Sequence, residues 1–272
     1  MELDGKVAIV TGASRGVGAA TAVALAGQGA RVACAARATD SAPMSTPGTL
    51  DATVRDIRNA GGDAIAVPTN LGKDEEVVAM VATTVDHYGR VDILVNNAAI
   101  TFPGDLDTPM KRYDLMFAVN LRAPLIACQQ VVPGMKERGE GSILNVSSMA
   151  ALNYFPGLMA YGMSKIALEH MTVSLATQLA PFDIAVNTFR IDIAVASEGF
   201  VFNMPDADHS DWEPSEVAAE GIVWMLEQPS TYTGHNDGMA RLRAERGIMP
   251  SRSPRPFTSQ QSLVTETHLR PV

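Results

Sequence analysis

The sequence is most telling first for what it lacks. It has two cysteines in 272 residues, too few for a disulfide framework. Cys34 and Cys128 fall in a predicted strand and a predicted helix, and read as a buried, reduced pair in a cytoplasmic protein. Positive charge is in deficit: 21 Lys and Arg against 30 Asp and Glu give a formal net charge of −9. Nonspecific nucleic-acid binding needs clustered positive charge, so that class is disfavoured. No uninterrupted apolar run approaches the ~18 residues of a membrane span, so no spanning helix is expected. The N-terminal stretch MELDGKVAIV is acidic where a signal peptide is basic, and it enters a strand almost at once. There is no internal repeat and no metal-ligand spacing, and the five histidines are scattered. What remains is ordinary globular composition, 46% hydrophobic and 19% charged, with length for one large α/β domain.

The richest stretch runs from Gly141 to Lys165. It opens as an apolar strand, Ile143 to Val146, and ends in Ser147 and Ser148. After a loop comes Tyr161, with Lys165 four positions on, one helical turn away and on the same face. A phenol is a poor base at neutral pH, its reference pKa being about 10, and a nearby ammonium favours the phenolate. Ser148, Tyr161 and Lys165 are therefore candidates for a proton-transfer site. A Tyr-x-x-x-Lys pair alone is weak, since such pairs also arise as surface contacts.

A second signal supports the first. Lys6 to Val10 reads as a buried strand. It feeds Thr11-Gly12-Ala13-Ser14-Arg15-Gly16-Val17-Gly18 and then an Ala-rich helix to Ala26. A glycine loop between strand and helix aims backbone N–H groups and a helix N-terminus at one point, which suits a pyrophosphate. Gly12 permits the tight turn, Gly16 a close approach of ligand to backbone, and Gly18 close helix–strand packing. A glycine-rich turn without a ligand is the alternative.

Thr-Gly-x-x-x-Gly-x-Gly, Asn96-Asn97-Ala98, Ser148, Tyr161 and Lys165, in this order, resemble the short-chain dehydrogenase/reductase family over roughly residues 5 to 240. The insertion ending in Gly48-Thr49, the absence of Pro-Gly after the sixth strand and Asp107-Thr108-Pro109 resemble its hydroxysteroid dehydrogenase-like subgroup. The resemblance implies a doubly wound α/β (Rossmann) domain with a central parallel sheet and a nicotinamide cofactor. It implies catalytic roles for Asn120, Ser148, Tyr161 and Lys165. Cofactor contacts would come from Gly12, Ser14, Arg15, Gly16, Val17, Gly18, Arg37, Asn70, Leu71, Asn97, Ala98, Tyr161, Lys165 and Ile193. It implies helices of Lys111–Lys136 and Tyr161–Leu179 pairing in a homo-oligomer, with Leu125, Ile126, Met163 and Met171 as spare apolar residues.

Cofactor choice is read at the end of the second strand, Ala30 to Ala36. An acid there would bind the ribose of NAD. Ala36 is not acidic, Arg37 follows, and Arg15 sits in the glycine loop, a pairing that in the family marks NADP. Thr39 to Leu50 is a Pro/Ser/Thr-rich loop, covering the adenosine or forming a surface insertion. Helices are expected over Leu50–Asn59, over Glu75–Tyr88 with Val77, Val78, Val81 and Val85 as its core stripe, and over Glu216–Leu226. Strands are expected over Ala64–Val67, Val91–Val95 and Ile184–Phe189. Asn70 stands where the family has an acid facing adenine, and its side-chain carbonyl can still accept that bond. Pro124 cannot bond the carbonyl of Asn120; the family holds a relay water at such a helix bend, the alternative being a kink with Asn120 facing solvent.

The largest departure is Ile191-Asp192 in place of Pro-Gly, with Ile193 offering its backbone and Ser197 standing near the usual Thr. Residues 190–213 include the substrate loop, Thr233-Gly234 resembles the start of the last strand, and Gly247 to Val272 reads as an extended tail, disordered or draped on a partner. The expected activity is hydride transfer between NADP(H) and a carbonyl or secondary alcohol. The alternatives are an acyl-thioester ketoreductase, disfavoured by the negative charge its acidic carrier would meet, and an NADP-binding sensor or scaffold without turnover.

Overall fold

The computed structural model describes residues 1–255. Seven parallel strands form one sheet in the order β3-β2-β1-β4-β5-β6-β7. They are β1 (Val7–Thr11), β2 (Arg31–Ala36), β3 (Asp63–Pro68), β4 (Ile93–Asn96), β5 (Gly141–Ser148), β6 (Ile184–Ile191) and β7 (Asn236–Gly238). The central strands are near-continuous runs of Val, Ile, Leu and Ala because both sheet faces are covered by helices. Along β1, Ala8 and Val10 enter one core layer and Ile9 the other, the period of two that a strand imposes. The order reverses between β1 and β4, which opens a crevice at the carboxyl ends of the strands, where ligands bind in such sheets.

One face carries α1 (Gly16–Gly27), α2 (Leu50–Asn59) and α8 (Ser215–Glu227), whose Leu25, Ile57 and Ile222 share a cluster. The other carries α3 (Asp74–Tyr88), α5 (Ala123–Arg138) and α6 (Met159–Leu179). Along α3, Val77 and Val81 are core as expected. Val78 and Val85 are exposed, and Met80 and Thr84 complete the buried face instead. The expected helix over Lys111–Lys136 is interrupted: α4 (Met110–Phe117) passes through a π-turn, Ala118–Arg122, into α5. The turn closes with Ala123 N–H on the Ala118 carbonyl, immediately before the proline that cannot donate to Asn120. The whole stretch Met110–Arg138 has a window of mean hydropathy 1.4 and by length and composition could cross a membrane. That corrects the sequence expectation. In this fold 44% of the window is buried, and Ala123, Ala127, Cys128, Val131 and Met135 join the core.

Two expectations for the C-terminal part change. Thr233-Gly234 precedes rather than begins β7, although it is tied to β6 by Val186 N–H on Thr233 Oγ1 at 3.0 Å and Gly234 N–H on the Val186 carbonyl at 2.9 Å. After α9 (Met239–Arg246), the start of the predicted tail is packed rather than free. Met249 is buried, and the N–H groups of Arg252 and Ser253 both donate to the buried Glu213 carboxylate. Residues 256–272 of that tail lie outside the described residues.

Candidate active site

The glycine loop joins β1 to α1. Gly12 has φ +71° and Gly16 φ +55°, where a side chain would be strained. A Cβ on Gly18 would run into Asn97 Nδ2 and the Gly12 carbonyl, so close packing requires glycine there. Asn97 braces the turn by donating to the Thr11 carbonyl at 2.8 Å, and the N–H groups of Asn97 and Ala98 donate to Thr11 Oγ1. The first turn of α1 has no side-chain cap, unlike α2, which Thr49 caps. A helix N-terminus of this kind suits an anion. What lies nearest Gly16 here is the segment after β6: a Cβ on Gly16 would come 2.9 Å from the Cβ of Ser197. Ser197 itself caps the short helix α7 (Glu198–Asn203) through Phe200 N–H. Ser14 and Val17 are buried in the loop and first turn, and Leu71 and Ala98 face a narrow crevice shared with Thr11 and Val119.

Ser148 ends β5 and caps the 3-10 turn Met149–Ala151, accepting from Ala150 N–H at 3.2 Å. Helix α6 begins against this turn. A Cβ on Gly162 would sit 2.5 Å from the Ala150 carbonyl, so only glycine lets Tyr161 come this near. The Ser148 hydroxyl is near enough to the Tyr161 phenol to favour its ionised form. Lys165, 2% exposed, donates to the Val146 carbonyl at 2.8 Å and lies 5.6 Å from the centre of the Tyr161 ring. The three residues singled out by spacing therefore do meet.

Their electrostatics differ from expectation. Burial pushes the Tyr161 phenol up to about 12, with the Ser148 hydroxyl opposing, rather than the lysine pulling it down. Burial lowers the Lys165 ammonium to about 8, and the Glu169 carboxylate only partly restores it. The reason is that the ammonium points at a backbone carbonyl, not at the phenol oxygen.

Asn120 is fully buried, which removes the solvent-facing alternative. Its side chain accepts from Ile100 N–H at 2.8 Å and donates to the Ile100 carbonyl at 2.9 Å and to Ser164 Oγ at 3.1 Å; Ser164 in turn donates to the Tyr161 carbonyl. Asn120 thus locks the loop after β4 to the start of α6. Asn70 uses its side-chain oxygen on Gly72 N–H at 3.1 Å, closing its own turn, so the adenine bond expected of it would have to share that oxygen. Arg15 is held by carbonyls of the insertion, while Arg37 is exposed at the end of β2. Ile193 has its side chain in the core.

Several contacts of the site escaped the sequence reading. Asn96 donates to Asn145, Asn145 to Thr172, and Thr188 to Thr172, a buried polar ladder beneath the crevice. Asp192, standing in for the usual glycine, accepts Ala240 N–H at 3.0 Å at the start of α9 and fills the space beside Gly238. Burial raises its carboxyl above the ordinary value. These pairs join residues tens of positions apart, and no local spacing marks them.

A glycine cradle at the mouth of a doubly wound sheet, beside Ser, Tyr and Lys at a strand end, is the arrangement expected of a short-chain dehydrogenase fold. The chain matches the short chain dehydrogenase family over residues 6–194 and belongs to it. Dehydrogenase/reductase SDR family member 4 of Sus scrofa is 38% identical over 187 residues, covering 68% of this chain and 64% of the relative. Hydroxysteroid dehydrogenase-like protein 2 of Bos taurus is 30% identical over 250 residues, covering 91% of this chain and 59% of the relative. The chain therefore spans less than two thirds of the length of these curated relatives. Among solved structures, a short-chain dehydrogenase of Mycobacterium thermoresistibile superposes with TM-score 0.81 at 30% identity, covering 94% of this chain and 95% of the other. A metagenomic short-chain oxidoreductase in complex with NADP gives TM-score 0.72 at 28% identity, covering 88% and 96%.

Proposed function

We propose that this oxidoreductase transfers a hydride between NADP(H) and a carbonyl or secondary-alcohol carbon. The observation that carries the reading is the convergence of Ser148, Tyr161 and Lys165 at the carboxyl edge of the sheet, beside a glycine cradle too tight for any Cβ at Gly18. The cradle and the uncapped first turn of α1 suit a pyrophosphate. When bound, the nicotinamide supplies or takes the hydride.

Each residue then has a task. Tyr161, whose phenol is protonated at neutral pH already at its ordinary pKa of about 10, gives its proton to the carbonyl oxygen during reduction. Ser148 hydrogen-bonds that oxygen as negative charge develops on it. Lys165 stands ready for the ribose hydroxyls and returns charge balance to the phenol. Asn120 holds the loop after β4 in register with Tyr161 and carries the relay that refills the proton. Arg15 and Arg37 recognise the 2′-phosphate, and the NADP complex of the metagenomic relative supports that choice. The segment from Ser197 to Glu213 forms the substrate lid, with Phe202 exposed and Phe200 stacked on Trp212 at 4.6 Å. The protein acts as a homo-oligomer through α5 and α6, where Leu125 and Met163 remain exposed.

Incubation with NADPH and a panel of carbonyl compounds tests the reading through nicotinamide absorbance. Oxidation of the cofactor with at least one class of carbonyl is expected. Tight NADPH binding with no oxidation across ketones, aldehydes and acyl-thioesters would favour the sensor instead.

A further inference from the structure

The insertion between β2 and α2 does more than cover surface. Arg15 leaves the glycine loop and runs straight into it: Nε donates to the Pro47 carbonyl at 2.6 Å, and Nη2 to the carbonyls of Thr46 and Gly48 at 2.9 Å each. Gly48 has φ +100°, and a Cβ there would sit 2.5 Å from the Ser14 carbonyl and 2.9 Å from Arg15 Cβ, so the insertion lies directly on the glycine loop. It is also tied down from within. Thr49 Oγ1 donates to Asp40 at 2.6 Å and caps α2, Asp40 takes Arg55 at 2.8 Å, and Asp51 accepts Asp40 N–H at 2.7 Å. Thr53 Oγ1, one turn into α2, donates to the Ala13 carbonyl at 2.9 Å.

Three carbonyls orient a guanidinium but do not neutralise it. Arg15 Nη1 makes no hydrogen bond among the described residues, and Arg37, near enough for its charge to act on Arg15, makes no ion pair among them. Two positive groups thus share one corner at the end of β2, and the carboxylate that acts on Arg15 there, Glu198, belongs to the lid. A phosphate brought there would meet both guanidinium groups, and its charge would exceed that of the single Glu198 carboxylate. A guanidinium already fixed in its fork loses less rotamer freedom on meeting one.

We propose that the insertion Thr39–Thr49 is a cofactor-specificity element, which holds Arg15 by the carbonyls of Thr46, Pro47 and Gly48 so that its free edge receives a ribose 2′-phosphate. The proposal rests on the NADP reading above. It assigns the discrimination to a loop whose own side chains need not touch the cofactor.

The test is a set of dissociation constants for NADPH, NADH, 2′,5′-ADP and AMP, measured by fluorescence or calorimetry on wild type, Gly48→Val, Thr49→Ala, Arg15→Ala and the double variant Gly48→Val/Arg15→Ala. Gly48→Val must lift the insertion; Thr49→Ala loosens it more gently and serves if the first variant fails to fold. In the loop variants, NADPH and 2′,5′-ADP should bind about tenfold more weakly, the order of one charge-assisted hydrogen bond. NADH and AMP should change by no more than about twofold. The double variant should be no worse than Arg15→Ala, because the loop acts through that residue. Losses that add, or equal losses for phosphorylated and unphosphorylated ligands, would overturn the proposal and leave the loop a mere prop for the glycine turn. If wild type itself binds NADH as tightly as NADPH, the NADP reading fails instead.

Discussion

Glu169 receives Arg190 through both carboxylate oxygens, at 2.9 and 2.6 Å, one helical turn beyond Lys165. Ser147 Oγ donates to the same carboxylate at 2.7 Å, so one strut joins β5, α6 and β6 directly beneath the candidate catalytic residues. Glu169 is 3% exposed. With its charge matched by Arg190, the carboxylate forms no ion pair with Lys165, whose ammonium turns to the Val146 carbonyl instead. Arg190→Met should therefore destabilise the fold by about 3–5 kcal/mol, the usual consequence of stranding one member of a buried pair. Arg190→Met/Glu169→Gln should recover part of that loss. Urea unfolding checks both, and a loss under about 1 kcal/mol for the single variant would show that the pair does not hold the strut together.

Tyr161→Phe removes one hydroxyl and leaves the ring packed on α6. Turnover should fall by about 10²- to 10⁴-fold, the range of general acid–base catalysis. NADPH affinity should stay within a few-fold of wild type. Activity near wild type in a steady-state assay would transfer the proton-donor role to another group.

The lowered pKa of Lys165 has a consequence for stability whose sign is definite. Burial brings its ammonium from 10.5 to about 8 in the folded chain. Between those values the folded state binds fewer protons than the unfolded one, so this residue's contribution to stability rises with pH across that window. Lys165→Met lacks the titration. The stability of wild type relative to Lys165→Met should grow from pH 7.5 to pH 10, by roughly 1 kcal/mol per unit inside the window. Chemical denaturation at several pH values measures it, and a flat or falling difference would mean that the ammonium persists.

Cofactor preference should reverse in Ala36→Asp/Arg37→Ala. The new carboxylate at the end of β2 would take the ribose hydroxyls and repel a 2′-phosphate. Each charge-assisted contact contributes roughly 1.5–3 kcal/mol, so wild type should favour NADPH by about 10²-fold and the double variant NADH. Fluorescence titration with both cofactors decides; an unchanged ratio would show that Arg37 remains in solvent.

What the sequence determined by itself is local. The bounds of α2 at Leu50 and Asn59 match the helix expected there, and Thr49 caps it. Gly12, Gly16 and Gly18 announced the cradle because each answers a backbone demand within a few residues. Ser148, Tyr161 and Lys165 could be grouped because a strand end, a loop and one helical turn place them within reach.

Tertiary structure decided everything that depends on burial or on distant partners. The direction of the Tyr161 shift depends on how completely the phenol is desolvated, and the aim of Lys165 on a carbonyl 19 positions away. Arg15 meets carbonyls more than 30 positions on, and Glu169 meets Arg190 across 21. Asp192 fits in place of glycine only because the start of α9 offers it an N–H and Gly238 leaves it room. Charge, hydrogen bonding and desolvation act through space, and where distant segments meet is set by sheet order and helix packing, to which local spacing is blind.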